Sequence, residues 1–288
     1  MEEKKSVTVA KSAGFCFGVK RAVDFVYECA SSSDKPIYTY GPIIHNEVVT
    51  KELEDMGVTV LDPEKALPNI PEGTVIIRSH GVTRERFNEI SNSIHKCEDM
   101  TCPFVKKIHR LVEEHSRLKE TILIIGNPEH PEVQGICGWS ESPRTVVINS
   151  KEEAFSFSAK TDEKICIVSQ TTYNYKKFQE LVEIISQKGY DISVINTICS
   201  ATTDRQTEAL SLARVCDAMI VVGSLASSNT QKLYEICKKE CANTYYIQTI
   251  DDLDVTKMNK FHSVGITAGA STPNKLIEEV QTNVRNEL

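Results

Sequence analysis

A chain of 288 residues, 40% apolar and 25% charged, has the composition of an ordinary globular protein and the length for one to three domains. Its net charge of −7, with no dense basic run, argues against a nucleic-acid-binding surface. No segment approaches the roughly 20 apolar residues of a membrane span, and Met1-Glu2-Glu3-Lys4-Lys5 lacks the apolar core of a secretion signal, so a cytoplasmic protein is expected.

The N-terminal Val7-Thr8-Val9 alternates as a strand does, and a cysteine follows on a glycine-flanked loop, Ala13-Gly14-Phe15-Cys16-Phe17-Gly18. Val19, Ala22, Val23 and Val26 then recur at helical spacing, so Cys16 stands at the start of an amphipathic helix. A cysteine there is biased toward thiolate, and nucleophile, metal ligand and core residue are all open readings. Gly14 and Gly18 are expected to let the loop backbone approach a bulky ligand closely.

The same event recurs twice. Thr101-Cys102-Pro103 precedes a helical stripe of Val105, Ile108, Leu111 and Val112, with Pro103 suited to a first helical turn. Ile198-Cys199-Ser200 precedes a third such segment. Each cysteine is followed, 24 or 25 residues later, by a glycine closing a β-prone run: Ile37 to Gly41, Ile122 to Gly126 and Met219 to Gly223. A further strand with a small polar loop completes each unit: Val75 to Gly81, Ile165 to Thr172 and Val264 to Pro273. Helices are expected over 84–93, 175–188 and 275–284, the second closed by Gly189 as a C-cap. Continuous apolar runs alternating with helices predict an α/β fold of parallel sheets, in which ligands bind at the carboxyl ends of strands.

Ten cysteines in a chain neither short nor marked for secretion do not suggest a disulfide framework. Cys166, inside Ile165-Cys166-Ile167-Val168, reads as a small core residue. Three thiolates from three loops would fill three positions of a metal site and leave one open. The one close pair that includes any of them, Cys97-x4-Cys102, does not recur in the other two units, which favours a [4Fe–4S] cluster with one non-cysteine-ligated iron over zinc. Burial as ordinary core residues is the alternative.

His45, His80 and His130 each lie in a strand-end loop, as do Ser227, Ser228, Asn229 and Ser271. Histidines, hydroxyls and helix N-termini together suit an anion, most naturally phosphate. Ser271-Thr272-Pro273 reads as an N-cap before a first-turn proline, and ordinary capping is the competing account of these hydroxyls. Glu132, after His130-Pro131, is placed to donate a proton, since enclosure raises a carboxyl pKa. Thr171 and Thr172 are placed to hydrogen-bond a substrate hydroxyl.

These motifs, with Ala13 to Val19, His45-Asn46, Ser79-His80-Gly81-Val82, His130-Pro131-Glu132-Val133, Gln170-Thr171-Thr172, Asn196-Thr197-Ile198-Cys199, Ser227-Ser228-Asn229 and Thr267 to Pro273 in order, resemble the LytB family of 4-hydroxy-3-methylbut-2-enyl diphosphate reductases from about Val7 to Glu279. The loop Asn127-Pro128-Glu129 departs from that family's usual lead-in to its His-Pro-Glu motif. The resemblance implies a trefoil of three pseudo-threefold-related α/β units around a central [4Fe–4S] cluster held by Cys16, Cys102 and Cys199. The units would be 17–101, 102–198, and 199–288 with the N-terminal strand 1–16.

It also implies a diphosphate gripped by His45, His80, Ser227, Asn229 and Ser271, assisted by Ser228 and His130, with the substrate hydroxyl near Thr171 and Glu132. Two electrons, fed by a ferredoxin or flavodoxin, and protons from Glu132 would expel that hydroxyl as water. Protonation of the resulting allyl species at either end would give isopentenyl and dimethylallyl diphosphate as the last step of the methylerythritol phosphate route. The remaining cysteines, among them Cys97, Cys137, Cys216, Cys237 and Cys241, match no ligand of the family. A cluster-dependent dehydratase or quinolinate-synthase-like lyase would differ in needing no electron donor, and a cluster-bearing redox sensor in needing no diphosphate pocket. No long apolar surface stripe asks for a partner subunit, which is compatible with a monomer.

Overall fold

A computed structural model describes residues 5–160 and 163–288. Strand β1 (Ser6–Val9) leads into helix α1 (Phe17–Ser32), then β2 (Ile37–Tyr40), α2 (Glu47–Asp55), β3 (Thr59–Leu61), β4 (Thr74–Ile77), α3 (Arg84–Ser91) and β5 (Lys96–Asp99). The chain continues through α4 (Pro103–Arg117), β6 (Thr121–Ile125), α5 (Pro131–Gly138), β7 (Thr145–Ile148), α6 (Lys151–Ser156), β8 (Lys164–Ser169), α7 (Tyr175–Ser186) and β9 (Asp191–Val194). Helix α8 (Ser200–Ala213), β10 (Ala218–Val222), α9 (Ser228–Glu240), β11 (Thr244–Ile247), β12 (Ser263–Ala268) and α10 (Asn274–Glu287) complete it.

The strands form three four-stranded sheets, ordered β3-β2-β4-β5, β7-β6-β8-β9 and β1-β12-β10-β11, and every pairing is parallel. This is the α/β class expected from the sequence. Each sheet has two inner strands, and those are the apolar runs: β2, β4, β6 and β10 are buried at every residue, β8 and β12 at all but the first. Helices cover both faces of such strands, so neither face can be polar. The outer strands are more exposed, β1 alternating and β9 exposed at three of four positions.

Two compact units divide the chain. One comprises the chain up to Val19, His45–Val49 and Ser200–Leu288 and contains the sheet in which β1 pairs with β12, Ser6 opposite Ser263. Its core joins Ile220, Val222, Val264, Ile266, Val280 and Val284. The other comprises Lys20–Ile44 and Thr50–Cys199 and contains the remaining two sheets. There Ile108 and Val112 of α4 pack on Ile122 and Ile124 of β6 and Cys166 of β8, which confirms Cys166 as a core residue.

Helix boundaries follow local chemistry. Thr83, Ser150 and Asn174 cap α3, α6 and α7 through side chains that accept from the first-turn amides. Helices α3 and α7 each stop two residues short of the expected end, at Ser91 and Ser186, while α10 starts at Asn274 and runs to Glu287. Gly189, at φ +75°, takes the left-handed conformation expected of a residue that ends a helix.

Candidate active site

All strands being parallel within each sheet, the loops after β4, β6, β8, β10 and β12 lie at carboxyl ends, where the topology leaves room for ligands. The three singled-out cysteines are anchored to these loops in one repeated way. Cys102 donates its N–H to Ser79 O at 2.9 Å, Cys199 to Thr171 O at 3.1 Å, and Cys16 to Ala270 O at 3.2 Å. Each acceptor stands two residues beyond the end of an inner strand: β4, β8 and β12 respectively. Each cysteine is the residue immediately before a helix, α4, α8 or α1. Cys102 is the N-cap of α4, yet its side chain makes no capping bond. The three thiols are half-buried and none is in a disulfide. Such thiols, held by their backbones at helix N-termini, are the soft donor set an iron–sulfur centre takes.

In the second unit, β8 and β6 bring Glu132 and Thr171 together. Pro131 opens α5, placing Glu132 in its first turn, and the His130 ring caps that turn by accepting from the Glu132 amide through Nδ1 at 3.1 Å. The Glu132 carboxylate accepts from the Thr171 amide at 2.6 Å and the Thr171 hydroxyl at 2.7 Å. Burial, at 2% exposure, outweighs those two donors and pushes its pKa from 4.5 up to about 6. Thr171 therefore links the acid, through its amide and hydroxyl, to Cys199, through its carbonyl. The His80 and His130 rings meet edge to face, 5.5 Å between centroids. Gln170 holds the loop: its Oε1 accepts from the Asn127 amide at 3.2 Å and its Nε2 donates to Thr172 Oγ1 at 3.0 Å.

In the first unit, Ser227 caps α9 by accepting from the Thr230 amide at 3.4 Å. Ser271 Oγ donates to His45 O at 3.0 Å and lies 3.4 Å from Ser227 Oγ, while Asn46 Nδ2 donates to Ser271 O at 2.9 Å. His45, Ser227, Ser271 and, one residue along α9, Asn229 are thus grouped on one set of loops. Asn229 is 4% exposed, and neither its amide nitrogen nor its oxygen has a hydrogen-bond partner among the described residues. A buried amide left unpaired is costly, and here it points to a polar ligand.

One local expectation is corrected. Ser271 and Thr272 do not cap α10, whose N-cap is Pro273 without a side-chain bond; Thr272 instead donates to Val222 O at 3.0 Å and ties the loop to β10. Gly14 has a local reason to be glycine: it stands at φ +95°, and a Cβ there would lie 2.4 Å from Asn274 Oδ1 and 3.3 Å from Ile277 Cδ1 at the start of α10.

Sequence reasoning missed Arg205, 4% exposed, which donates to Gly14 O at 2.6 Å and to Ala201 O at 3.0 Å and so braces the Cys16 loop. A signal was present: Thr202, Arg205, Gln206, Ala209 and Ala213 follow helical spacing and form the buried stripe of α8, polar at the end next to Cys199. Among the described residues, no helix is long and apolar enough to cross a membrane.

The geometry has close counterparts. A 4-hydroxy-3-methylbut-2-enyl diphosphate reductase of Geobacter sulfurreducens is 44% identical over 274 residues, covering 95% of each chain. The enzyme of the same name from Alkaliphilus oremlandii is 43% identical, covering 97% of this chain and 99% of its own. The solved structure of the E-1-hydroxy-2-methyl-but-2-enyl-4-diphosphate reductase from Plasmodium falciparum superimposes with a TM-score of 0.90 at 29% identity, over 98% of this chain and 88% of that one. A second reductase structure, of the terminal enzyme of the non-mevalonate pathway, matches 98% of this chain and 99% of its own at 38% identity and a TM-score of 0.70. The sequence model of the family described as LytB protein matches residues 7–285, and the chain belongs to that family of iron–sulfur enzymes.

Proposed function

We propose that this chain is an oxidoreductase that reductively dehydroxylates 4-hydroxy-3-methylbut-2-enyl diphosphate to isopentenyl and dimethylallyl diphosphate, as the terminal step of the non-mevalonate route. The observation that carries the reading is the Thr171 loop, which holds a buried acid on one side and the backbone of Cys199 on the other. Cys16, Cys102 and Cys199 are the proposed ligands of a [4Fe–4S] cluster with one iron not bound by cysteine. That cluster, when bound, would relay the two electrons from the donor and offer a Lewis-acidic site for the substrate hydroxyl.

The remaining chemistry belongs to side chains. His45, Ser227, Ser228, Asn229 and Ser271, with His80 and His130, bind the diphosphate, and the unpaired amide of Asn229 supports this role. Fixing the anion fixes the allylic chain attached to it. With a pKa of about 6, Glu132 still holds a proton in a fraction of molecules near neutrality, and it donates that proton so the hydroxyl departs as water. The two electrons and a second proton taken up at either end of the allyl unit give the two products. Thr171 keeps the Glu132 carboxyl oriented through two hydrogen bonds. Thr171 and Thr172 are also the proposed hydroxyl-binding pair.

We read the chain as three α/β units, 17–101, 102–198, and 199–288 with the N-terminal strand, because each sheet draws its strands from one of those spans. The electron donor is a ferredoxin or flavodoxin, and the setting is the cytoplasm. The reading is tested by iron and sulfide analysis after anaerobic purification of the wild type and of Cys16→Ser, Cys102→Ser and Cys199→Ser. Stoichiometric iron in the wild type and loss in all three variants supports it. A colourless wild type, or variants that keep full iron, overturns the ligand assignment.

A further inference from the structure

One cluster of metal-competent side chains lies away from the carboxyl-end loops. Helix α4 packs Ile108 and Val112 against the core, and His115 follows at the same helical spacing, one turn further on. The chain then reverses through Lys119, at φ +63° the one non-glycine residue in the left-handed region among those described. That reversal places Glu120, just before β6, beside His115, whose Nδ1 lies 2.6 Å from Glu120 Oε2. Below them is Cys166 of β8, fully buried and paired in register with Ile122 of β6. One donor atom from each of the three lies within 4.8 Å of the other two. The His115 and Glu120 side chains are 20% and 14% exposed, so the group is enclosed on the core side and reachable from solvent.

We propose that His115, Glu120 and Cys166 form a binding site for one borderline-soft divalent cation of the zinc type, at the amino end of the β6–β8 strand pair. The donors are an imidazole nitrogen, a carboxylate oxygen and a sulfur, the set zinc takes at about 2.0–2.3 Å with water in the fourth position. Hard cations such as magnesium would not select a thiol. The cation would take the place of the short contact between His115 Nδ1 and Glu120 Oε2.

Cys166 must lose its own proton to solvent, one per ion bound. Burial and the Glu120 charge push that thiol's pKa up to about 12, so the thiolate forms only when a cation compensates it. Without a cation the same three residues are a hydrogen-bonded pair at a helix end over a core thiol, and the two states are distinguished by zinc retention.

The test uses anaerobically purified protein with its iron–sulfur centre in place. After incubation with zinc sulfate and exhaustive dialysis, elemental analysis should find one zinc per chain above the starting level, with iron unchanged. His115→Gln and Cys166→Ala should each lower zinc retention by at least roughly tenfold, as loss of a ligand does. With cobalt(II), the wild type should gain a near-ultraviolet thiolate charge-transfer band that Cys166→Ala lacks. His115 sits at a partly exposed helix end, so His115→Gln tests the site even where Cys166→Ala loosens the core. No added zinc in the wild type, or equal retention by folded His115→Gln, overturns the proposal.

Discussion

Replacing Glu132 with Gln should stabilise the protein while disabling it. The carboxyl has a pKa of about 6 in the fold against 4.5 for an ordinary glutamate. Between those values the folded form holds more protons than the unfolded form, so stability falls as pH rises through the window and stays lower above it. That rise, at about 1.4 kcal/mol per pH unit, makes the loss about 2 kcal/mol. Gln carries no charge at any pH, and its amide oxygen and nitrogen can meet the Thr171 amide and hydroxyl that now contact the carboxylate.

At pH 8 the variant should therefore be more stable by up to about 2 kcal/mol, or about 4–8 °C in melting temperature for a unit of this size. The gap should narrow toward pH 5. Turnover should fall by about 10²–10⁴, the usual contribution of a positioned proton donor. Anaerobic calorimetry and turnover at pH 5, 6.5 and 8 read both effects. A variant no more stable than wild type at pH 8, or one retaining turnover within about tenfold, would refute the reasoning.

Thr171→Val removes one of the two donors that hold the Glu132 pKa down, so the pH at which turnover declines should move upward, and the buried oxygen left unpaired should cost about 1–3 kcal/mol. A pH–rate profile unchanged from wild type would show that Glu132 does not control it. Asn229→Ala should leave the melting temperature nearly unchanged, since its amide makes no hydrogen bond among the described residues. Its KM for the diphosphate should rise roughly ten- to hundredfold, as expected for a lost hydrogen bond to a charged group at about 1.5–3 kcal/mol. Isothermal titration with an unreactive diphosphate analogue measures this directly, and unaltered affinity would remove Asn229 from the anion site.

Apart from the alternating edge strand β1, the strands visible in the sequence are the inner ones. Ile122 to Ile125 and Met219 to Val222 announce themselves because both faces are covered, which demands uninterrupted apolar residues. The outer strands β3, β5, β7, β9 and β11 escaped notice: Lys96-Cys97-Glu98-Asp99 is a strand only because β4 offers it a hydrogen-bonding edge, and nothing in its own composition says so. Glu132 was legible because His130-Pro131 fixes where a helix begins, and the expected rise of its pKa follows from burial. The capping role expected of Ser271 and Thr272 failed because both hydroxyls satisfy distant carbonyls, at His45 and Val222, which local spacing cannot reveal. Arg205 was missed for a related reason: its partner, the Gly14 carbonyl, is 191 residues away.

The central claim is a reaction, and one anaerobic assay addresses it. Protein with its iron–sulfur centre intact, 4-hydroxy-3-methylbut-2-enyl diphosphate and a chemical one-electron reductant should yield both isopentenyl and dimethylallyl diphosphate, with no conversion when the reductant is omitted. Substrate left intact in the presence of reductant, or conversion that needs none, would contradict the account.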